Sequence, residues 1–542
     1  MQREIVNPVI SVQVRNPFPG LRPFREDEEH LFFGRESQIY TMIDKLSATR
    51  FLAVVGNSGS GKSSLVNCGL RPALHRGLMA KAGTCWRIAQ FRPGGNALRA
   101  MARALSQDGL LFSGFDSSTL ALEDIVEATL RMSKLGLSRV YNDAHIPEGT
   151  NLLIVVDQFE ELFRYRETAS LFTKDAPQRS QEATAFVNLV LEARAQTDFP
   201  IYVALTMRSD FLGDCAEFAG LPEAISEGEY LVPRLTREER RAAIVGPVGV
   251  GGADISPVLL TRLVNDVGDN PDQLSILQHA LNRIWARWQN EGQCLGVLDL
   301  SHYQAIGTME HALDHHAEKA YGELCSERQQ KICEKIFKVL TDKGTDPRGI
   351  RRPTKFGVLC RLAEASPEEA IEVLSVFRKP SRSFVMPPLP ELVDEDSVID
   401  ISHESLMRIW ERLIVWSDEE VQSAQLYRRL SETASLHAVG KAGLWNDPDM
   451  QSALDWKEKE QPTALWADLY GGRFDQAMSF LSESQVKRDK EQEERERQRT
   501  RELQQAQALA AERQQHLQEQ AKATARLRKW LVALIAAAAC LL

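Results

Sequence analysis

Residues Gly56-Asn-Ser-Gly-Ser-Gly-Lys-Ser63 read G-x-x-x-x-G-K-S, directly after the apolar run Phe51-Leu-Ala-Val-Val55 and before Ser64-Leu65-Val66. That order predicts a buried strand, a tight loop and a helix start, and so an α/β sheet in the first part of the chain. Gly56, Gly59 and Gly61 let the backbone N–H groups of the loop, which also contains Asn57, Ser58 and Ser60, turn inward onto an anion. The helix that opens at Lys62, Ser63 and Ser64 adds its partial positive charge. Together they describe a cradle for the phosphates of a nucleoside triphosphate. Lys62 is expected to reach the β- and γ-phosphates, and the Ser63 hydroxyl to hold Mg²⁺.

Such a loop needs a carboxylate at the end of a neighbouring buried strand. Asp157 ends the run Asn151-Leu-Leu-Ile-Val-Val156 and is the expected second metal ligand. Gln158-Phe-Glu-Glu161 follows, with glutamine where many hydrolytic relatives carry glutamate. Glu160 and Glu161 therefore stand under two readings, as the group that polarises the attacking water or as solvated first-turn residues favoured by the helix dipole. A third strand, Pro200-Ile-Tyr-Val-Ala-Leu-Thr206, leads into Met207-Arg208-Ser-Asp210. Arg208 is either a γ-phosphate sensor, gripping the anion bidentately, or a surface arginine paired with Asp210.

Taken with Asn16-Pro-Phe-Pro-Gly-Leu-Arg-Pro-Phe24, Leu31-Phe-Phe-Gly-Arg-Glu36 and Asp400-Ile-Ser-His-Glu-Ser-Leu-Met-Arg-Ile-Trp410, these motifs occur in the order typical of the novel STAND NTPases. The chain resembles that family, bacterial relatives of the AP-ATPase and NACHT switches. The resemblance implies an α/β nucleotide domain, a helical domain and a winged-helix domain that clamp ADP when off and open with ATP when on. It also implies that Phe33, Gly34 and Arg35 lie against the adenine. Pro271 of Gly268-Asp-Asn-Pro271 packs on the base in the same comparison, although it is equally a good first helical residue. His403 falls where related switches set a histidine on the ADP β-phosphate; its other reading is structural. This chain has Ile-Ser-His-Glu where better-known relatives have Met-His-Asp.

A chain of 542 residues exceeds one hydrophobic core. The expected organisation is a tail at 1–15, the P-loop α/β domain with its parallel sheet at 16–232, an all-α helical domain at 233–322 and a winged-helix domain at 323–420. A helical segment at 421–482, a charged helix or weak coiled coil at 483–529 and the start of a membrane helix at 530–542 complete it. Thr236 with Glu239 reads as a capping box. Helices are expected at 329–340, 354–363 and 367–377, followed by a hairpin from 384–390 and 397–401. The formal net charge of -10 speaks against a constitutive nucleic-acid clamp, so nucleic acid is not an expected partner. The cysteines, at 68, 85, 215, 294, 325, 333, 360 and 540, form no C-x-x-C pair and suit reduced thiols. The clustered His311, His315 and His316 could in principle bind metal, since His311 and His315 stand one helical turn apart.

Between 487 and 529 the composition collapses to Glu, Gln, Arg, Lys and Ala, with Leu503 and Leu517 sharing a heptad position. Arg526-Leu-Arg-Lys529 then precedes an apolar run from Trp530, shorter than the roughly 20 residues of a span. It reads as the cytoplasmic start of a membrane helix cut short by the chain end, or as a short hydrophobic tail. Two functions fit: a slow Mg²⁺-dependent ATPase used as a switch, which oligomerises when ATP opens it and answers to a trigger and an effector the sequence does not name, or a membrane-tethered ATPase that cycles continuously to drive a partner. The core is expected to be cytoplasmic, with possible attachment to the inner membrane face.

Overall fold

The computed structural model describes residues 15–112, 121–163, 176–268, 272–291, 296–344 and 349–541. The strands β1 (Phe51–Gly56), β2 (Trp86–Phe91), β3 (Asn151–Val156), β4 (Ile201–Arg208) and β5 (Glu229–Leu231) form one parallel sheet in the order β2-β3-β4-β1-β5. Every residue of β1, β3 and β4 is buried, as their unbroken apolar runs require of strands covered on both faces. Alternation divides each strand between two cores. Ala53, Val55, Ile154, Val156, Val203 and Leu205 face one; Leu52, Val54, Leu153, Val155 and Ala204 face the other.

Register fixes what lies at the carboxyl edge. Gly56 pairs with Arg208, and Val156 with Leu205. The loop after β1, Asp157 after β3 and Arg208 at the end of β4 thus share the edge at which open α/β sheets bind ligands. Beyond the loop the chain is α-helical over Lys62–Ser64, widens to a π-helix over Leu65–Leu70 and tightens again over Arg71–His75. The wide turn was not foreseeable from periodicity; such turns cluster at functional sites.

After the sheet come the helices Arg237–Val250, Pro257–Asp266, Gln273–Asn290, Leu300–Ala305 and Thr308–Tyr321. The Thr236 cap forms, with Glu239 N–H donating to the hydroxyl at 3.2 Å and the Glu239 carboxylate accepting from Thr236 N–H at 2.7 Å. Leu259, Leu277, Leu281, Trp285 and Tyr303 build one core here, into which Phe18 from the N-terminal segment inserts.

Three helices follow, Glu327–Val339, Phe356–Leu362 and Pro367–Arg378. The second starts later than the expected 354, because Thr354 and Lys355 form strand β8, paired with Ile399 and Val398. Strands β6 (Thr341–Asp342) and β7 (Ile350–Arg351) pair with each other. Strands β8, β9 (Val385–Met386) and β10 (Val398–Ile401) form an antiparallel sheet in the order β8-β10-β9.

By compactness the chain divides into Met1–Gln422 and Ser423–Leu542. The second unit has its own core of Tyr427, Leu430, Met450, Ala467, Phe480 and Leu481. It ends in one 68-residue helix, Phe474–Leu541. Residues 492–537 of that helix are exposed throughout, Leu503 and Leu517 included, so the expected seam meets no partner among the described residues. The run from Trp530 is the end of the same helix, not a separate segment. No helix among the described residues is long and apolar enough to cross a membrane.

Candidate functional site

The loop after β1 takes the shape its glycines allow. Gly59 and Gly61 have φ of 73° and 87°, in the left-handed region where a side chain is strained. Gly59 is also closely approached: a Cβ there would stand 3.0 Å from Ser275 Oγ and 3.2 Å from the His403 ring. Lys62, half-buried at the start of the helix, turns its Nζ back to donate to Gly56 O at 2.9 Å and Asn57 O at 2.7 Å. Burial lowers its pKa, while the nearby Glu160, Glu404 and Asp157 oppose that shift.

Ser63 Oγ donates to Asp157 Oδ1 at 2.8 Å, and Thr206 Oγ1 donates to the same oxygen at 2.7 Å. An oxygen octahedron about Mg²⁺, with bonds of 2.0–2.1 Å, has edges of about 2.9 Å. The Ser63 and Asp157 oxygens therefore already stand as two neighbouring ligands of such an ion would. Arg92 Nε also approaches Asp157 Oδ2, at 3.6 Å. Among the described residues no three His, Cys, Asp or Glu side chains gather around a metal position, and His311 and His315 merely stack at 5.7 Å.

Glu160 and Glu161 are both buried, not solvated. Glu160 lines the cleft, its Oε2 accepting from Arg208 N–H at 3.4 Å, and burial raises its pKa. Glu161 lies away from the cleft and accepts from Gly94 N–H at 2.9 Å; burial pushes it up to about 7. Of the two, Glu160 is the one near the phosphate loop. Gln158 adopts a φ of 59°, and its backbone N–H donates to Thr206 Oγ1 at 3.0 Å. Arg208 lines the cleft and pairs with Asp210, but it is buried and not a surface arginine.

Phe33, Gly34 and Arg35 run beside the loop. Arg35 donates to Ser60 O at 3.2 Å and Pro233 O at 2.8 Å. Gly34, at φ 82°, passes so near the helix Arg237–Val250 that a Cβ would stand 2.5 Å from Glu239 O. Phe33 with Phe24, Leu31, Phe32, Leu235, Ala243 and Leu274 makes an apolar chamber continuous with the loop, the combination of apolar walls and a few aimed polar groups that suits a nucleobase and its phosphates. Ser64 Oγ accepts from Phe24 N–H at 3.2 Å and ties the chamber to the helix start. Pro271 lies outside the described residues.

His403 lies two residues beyond β10 and stands half-buried over the loop. Its Nδ1 accepts from Ser405 N–H at 3.1 Å, and Nε2 lies 3.0 Å from Ser275 Oγ. Burial lowers its pKa, with Glu404 and Asp272 opposing the shift. Sequence reasoning missed its neighbour. Glu404 accepts from Ser58 Oγ at 2.7 Å and from Arg351 Nε at 3.1 Å. Burial works against its charge, but Arg351, His403, the Ser58 hydroxyl and Arg208 together outweigh it and hold the carboxyl well below the usual range. Arg351, in the two-residue strand β7, also donates to Asp400 at 2.5 Å and to Ile401 O at 3.1 Å. With its amide turned, Gln158 accepts from Arg351 Nη2 at 3.0 Å and donates to Glu161 at 3.1 Å. No periodicity marks Arg351; the signal for Glu404 was its place in Ser402-His-Glu-Ser405.

A comparison with curated proteins finds no match. Among solved structures the chain is similar to the ORC1 protein of Aeropyrum pernix in complex with DNA, at 13% identity and a TM-score of 0.35 over 73% of this chain and 94% of that one. It is similar also to the ORC2 protein of Aeropyrum pernix, described with ADPNP and ADP, at 12% identity and 0.38 over 72% and 93%. A third is Cdc6p of Pyrobaculum aerophilum, at 13% and 0.30 over 71% and 94%. Likeness at these scores carries no inference about ligand or partner. The profile of the family Novel STAND NTPase 1 matches residues 17–441, which hold the phosphate loop, Asp157, Arg208 and His403, and the chain belongs to that family of P-loop NTPases.

Proposed function

We propose that the chain is an ATP-binding signalling switch, closed with ADP and open with ATP. In this reading residues 16–232 are the nucleotide domain, 233–322 a helical domain and 323–420 a winged-helix domain, with the small sheet of β8, β9 and β10 as its wing. The later segments at 421–482 and 483–529 are a helical region and a stalk. The observation that carries the reading is the contact of His403 and Glu404, from the winged-helix side, with the phosphate loop itself. An element that closes over a ligand from another module gives the two discrete arrangements a switch requires.

The phosphates lie along Gly56, Asn57, Ser58, Gly59, Ser60, Gly61, Lys62, Ser63 and Ser64, and the base in the chamber beside Phe33, Gly34 and Arg35. Ser63 and Asp157 hold Mg²⁺, which neutralises charge on the β- and γ-oxygens. Lys62 steadies the same phosphates, Glu160 or Glu161 orients water, and hydrolysis is slow. Arg208 exchanges its Asp210 partner for the γ-phosphate, and His403 donates Nε2–H to the β-phosphate of ADP. Opening exposes surfaces for homo-oligomerisation, while trigger and effector act from outside this core.

Nucleotide extracted from the freshly purified chain, together with its molar mass with and without ATP, tests the reading. ADP in the purified protein and a larger mass with ATP are expected. Rapid steady turnover, no retained ADP and a constant mass would favour a continuously cycling ATPase.

A further inference from the structure

Glu404 carries a charge to a place where a nucleotide's own charge must go. Its Oε2 accepts from Ser58 Oγ at 2.7 Å, and the side chain is buried. It is aimed from behind: Arg351 Nε donates to Oε1 at 3.1 Å, and Arg351 is fixed in turn by Asp400 at 2.5 Å and Ile401 O at 3.1 Å. The Arg351 charge is thus shared between two carboxylates, and the pair it makes with Glu404 does not leave a surplus positive group facing the cleft. Glu404, Ser58, Glu160, Arg208 and Arg351 line the same cleft as Lys62 and the base chamber.

Ser58 is the third residue of the loop and lines the same cleft as Lys62. Glu404 meets the loop one residue before Gly59, where the His403 ring lies. A third phosphoryl group brings further negative charge toward an ionised carboxylate in a buried setting, where screening is weak and like charges repel strongly.

We propose that Glu404 is the residue by which the closed arrangement discriminates ADP from ATP: its carboxylate, held against Ser58 by Arg351, excludes the γ-phosphate, and a triphosphate settles only when Glu404 leaves the loop and takes the His403 segment with it. This rests on the reading of Gly56–Ser63 as a nucleotide site.

Calorimetric titration of the full chain, stripped of nucleotide, with ADP and with a non-hydrolysable β,γ-imido analogue of ATP tests it. Glu404→Gln keeps the shape and an acceptor for Ser58 but loses the charge. It is expected to bind ADP within about threefold of the parent and the analogue at least about tenfold more tightly, a change of roughly 1.4 kcal/mol. Glu404→Asp keeps the charge and draws it back from Ser58, and is expected to retain the preference for ADP. Equal shifts in both variants mean that Glu404 acts only as a structural latch, and no shift in Glu404→Gln means that it does not read the third phosphate; either result overturns the proposal. Should Glu404→Gln fail to fold, Glu404→Met serves, with the same tightening expected. Failure of the parent chain to bind either nucleotide would instead overturn the nucleotide site itself.

Discussion

The backbone N–H of Ser405 donates to Nδ1 of His403 at 3.1 Å, and this leaves Nε2 to carry the ring proton toward Ser275 Oγ, 3.0 Å away, beside Gly59. Burial lowers the imidazole pKa, so His403 faces the loop as a neutral donor and not as a cation. A neutral donor suits a diphosphate without adding a charge that would also attract a triphosphate. The neighbouring Glu404 then supplies the selectivity that a bare hydrogen bond lacks.

Lys62→Ala is expected to weaken binding of ADP and ATP by about a hundredfold or more, because hydrogen bonds from a charged donor contribute about 1.5–3 kcal/mol each. In this structure the ammonium rests on Gly56 O and Asn57 O; after its removal Arg35 still holds Ser60 O and Glu404 still holds Ser58. Calorimetry checks it. Unchanged affinity would remove the phosphate loop from the account.

Asp157→Asn keeps the hydrogen bond from Ser63 but loses a hard anionic ligand. Triphosphate binding should persist while Mg²⁺-dependent hydrolysis falls by at least about tenfold. Phosphate release measured against Mg²⁺ concentration distinguishes this from a general loss of binding. Full turnover at saturating Mg²⁺ would place the metal elsewhere.

Acid should unfold this protein through His279. Burial pushes its pKa down to about 3, with Arg283 acting in the same sense, and the neighbouring His316, 5.3 Å away between ring centroids, is lowered by burial and by His279. A histidine whose folded pKa lies below its unfolded value gives stability that is complete above about pH 6.5 and is lost as pH falls toward 3. At pH 5 the loss from His279 alone is about 2 kcal/mol. Melting temperature against pH should therefore fall below pH 6.5 and flatten in His279→Leu. An identical slope in the variant would mean that other groups carry the acid sensitivity.

Much of the site was legible because it is local. The phosphate loop, Asp157 and Arg208 each sit at the end of an apolar run, and strand burial plus parallel register brings those ends together. His403 and the Phe33 segment came from motif order, not from any periodicity. What stayed hidden is long-range. Arg351 lies in a two-residue strand whose meaning depends on Asp400 and Glu404, about fifty residues further along the chain. The burial of Glu160 and Glu161 was hidden for the same reason, since first-turn acids usually face water and here Gly94 and Arg208, from other strands and loops, hold these inward. At the other end, the apolar run from Trp530 looked separate in sequence, yet Phe474–Leu541 is one helix. Composition changes along a helix need not mark its boundary.

The central claim is that the His403 segment clamps ADP, and the dissociation rate of a fluorescent ADP analogue from His403→Ala and Arg208→Ala tests it most directly. A hydrogen bond to a charged phosphate is worth roughly 1.5–3 kcal/mol, so His403→Ala should release ADP about ten- to a hundredfold faster and assemble without a trigger. Arg208→Ala should release ADP at the parental rate while losing ATP-induced assembly. Unaltered ADP release from His403→Ala, with both variants failing in parallel, would contradict the clamp and leave a continuously cycling ATPase as the better account.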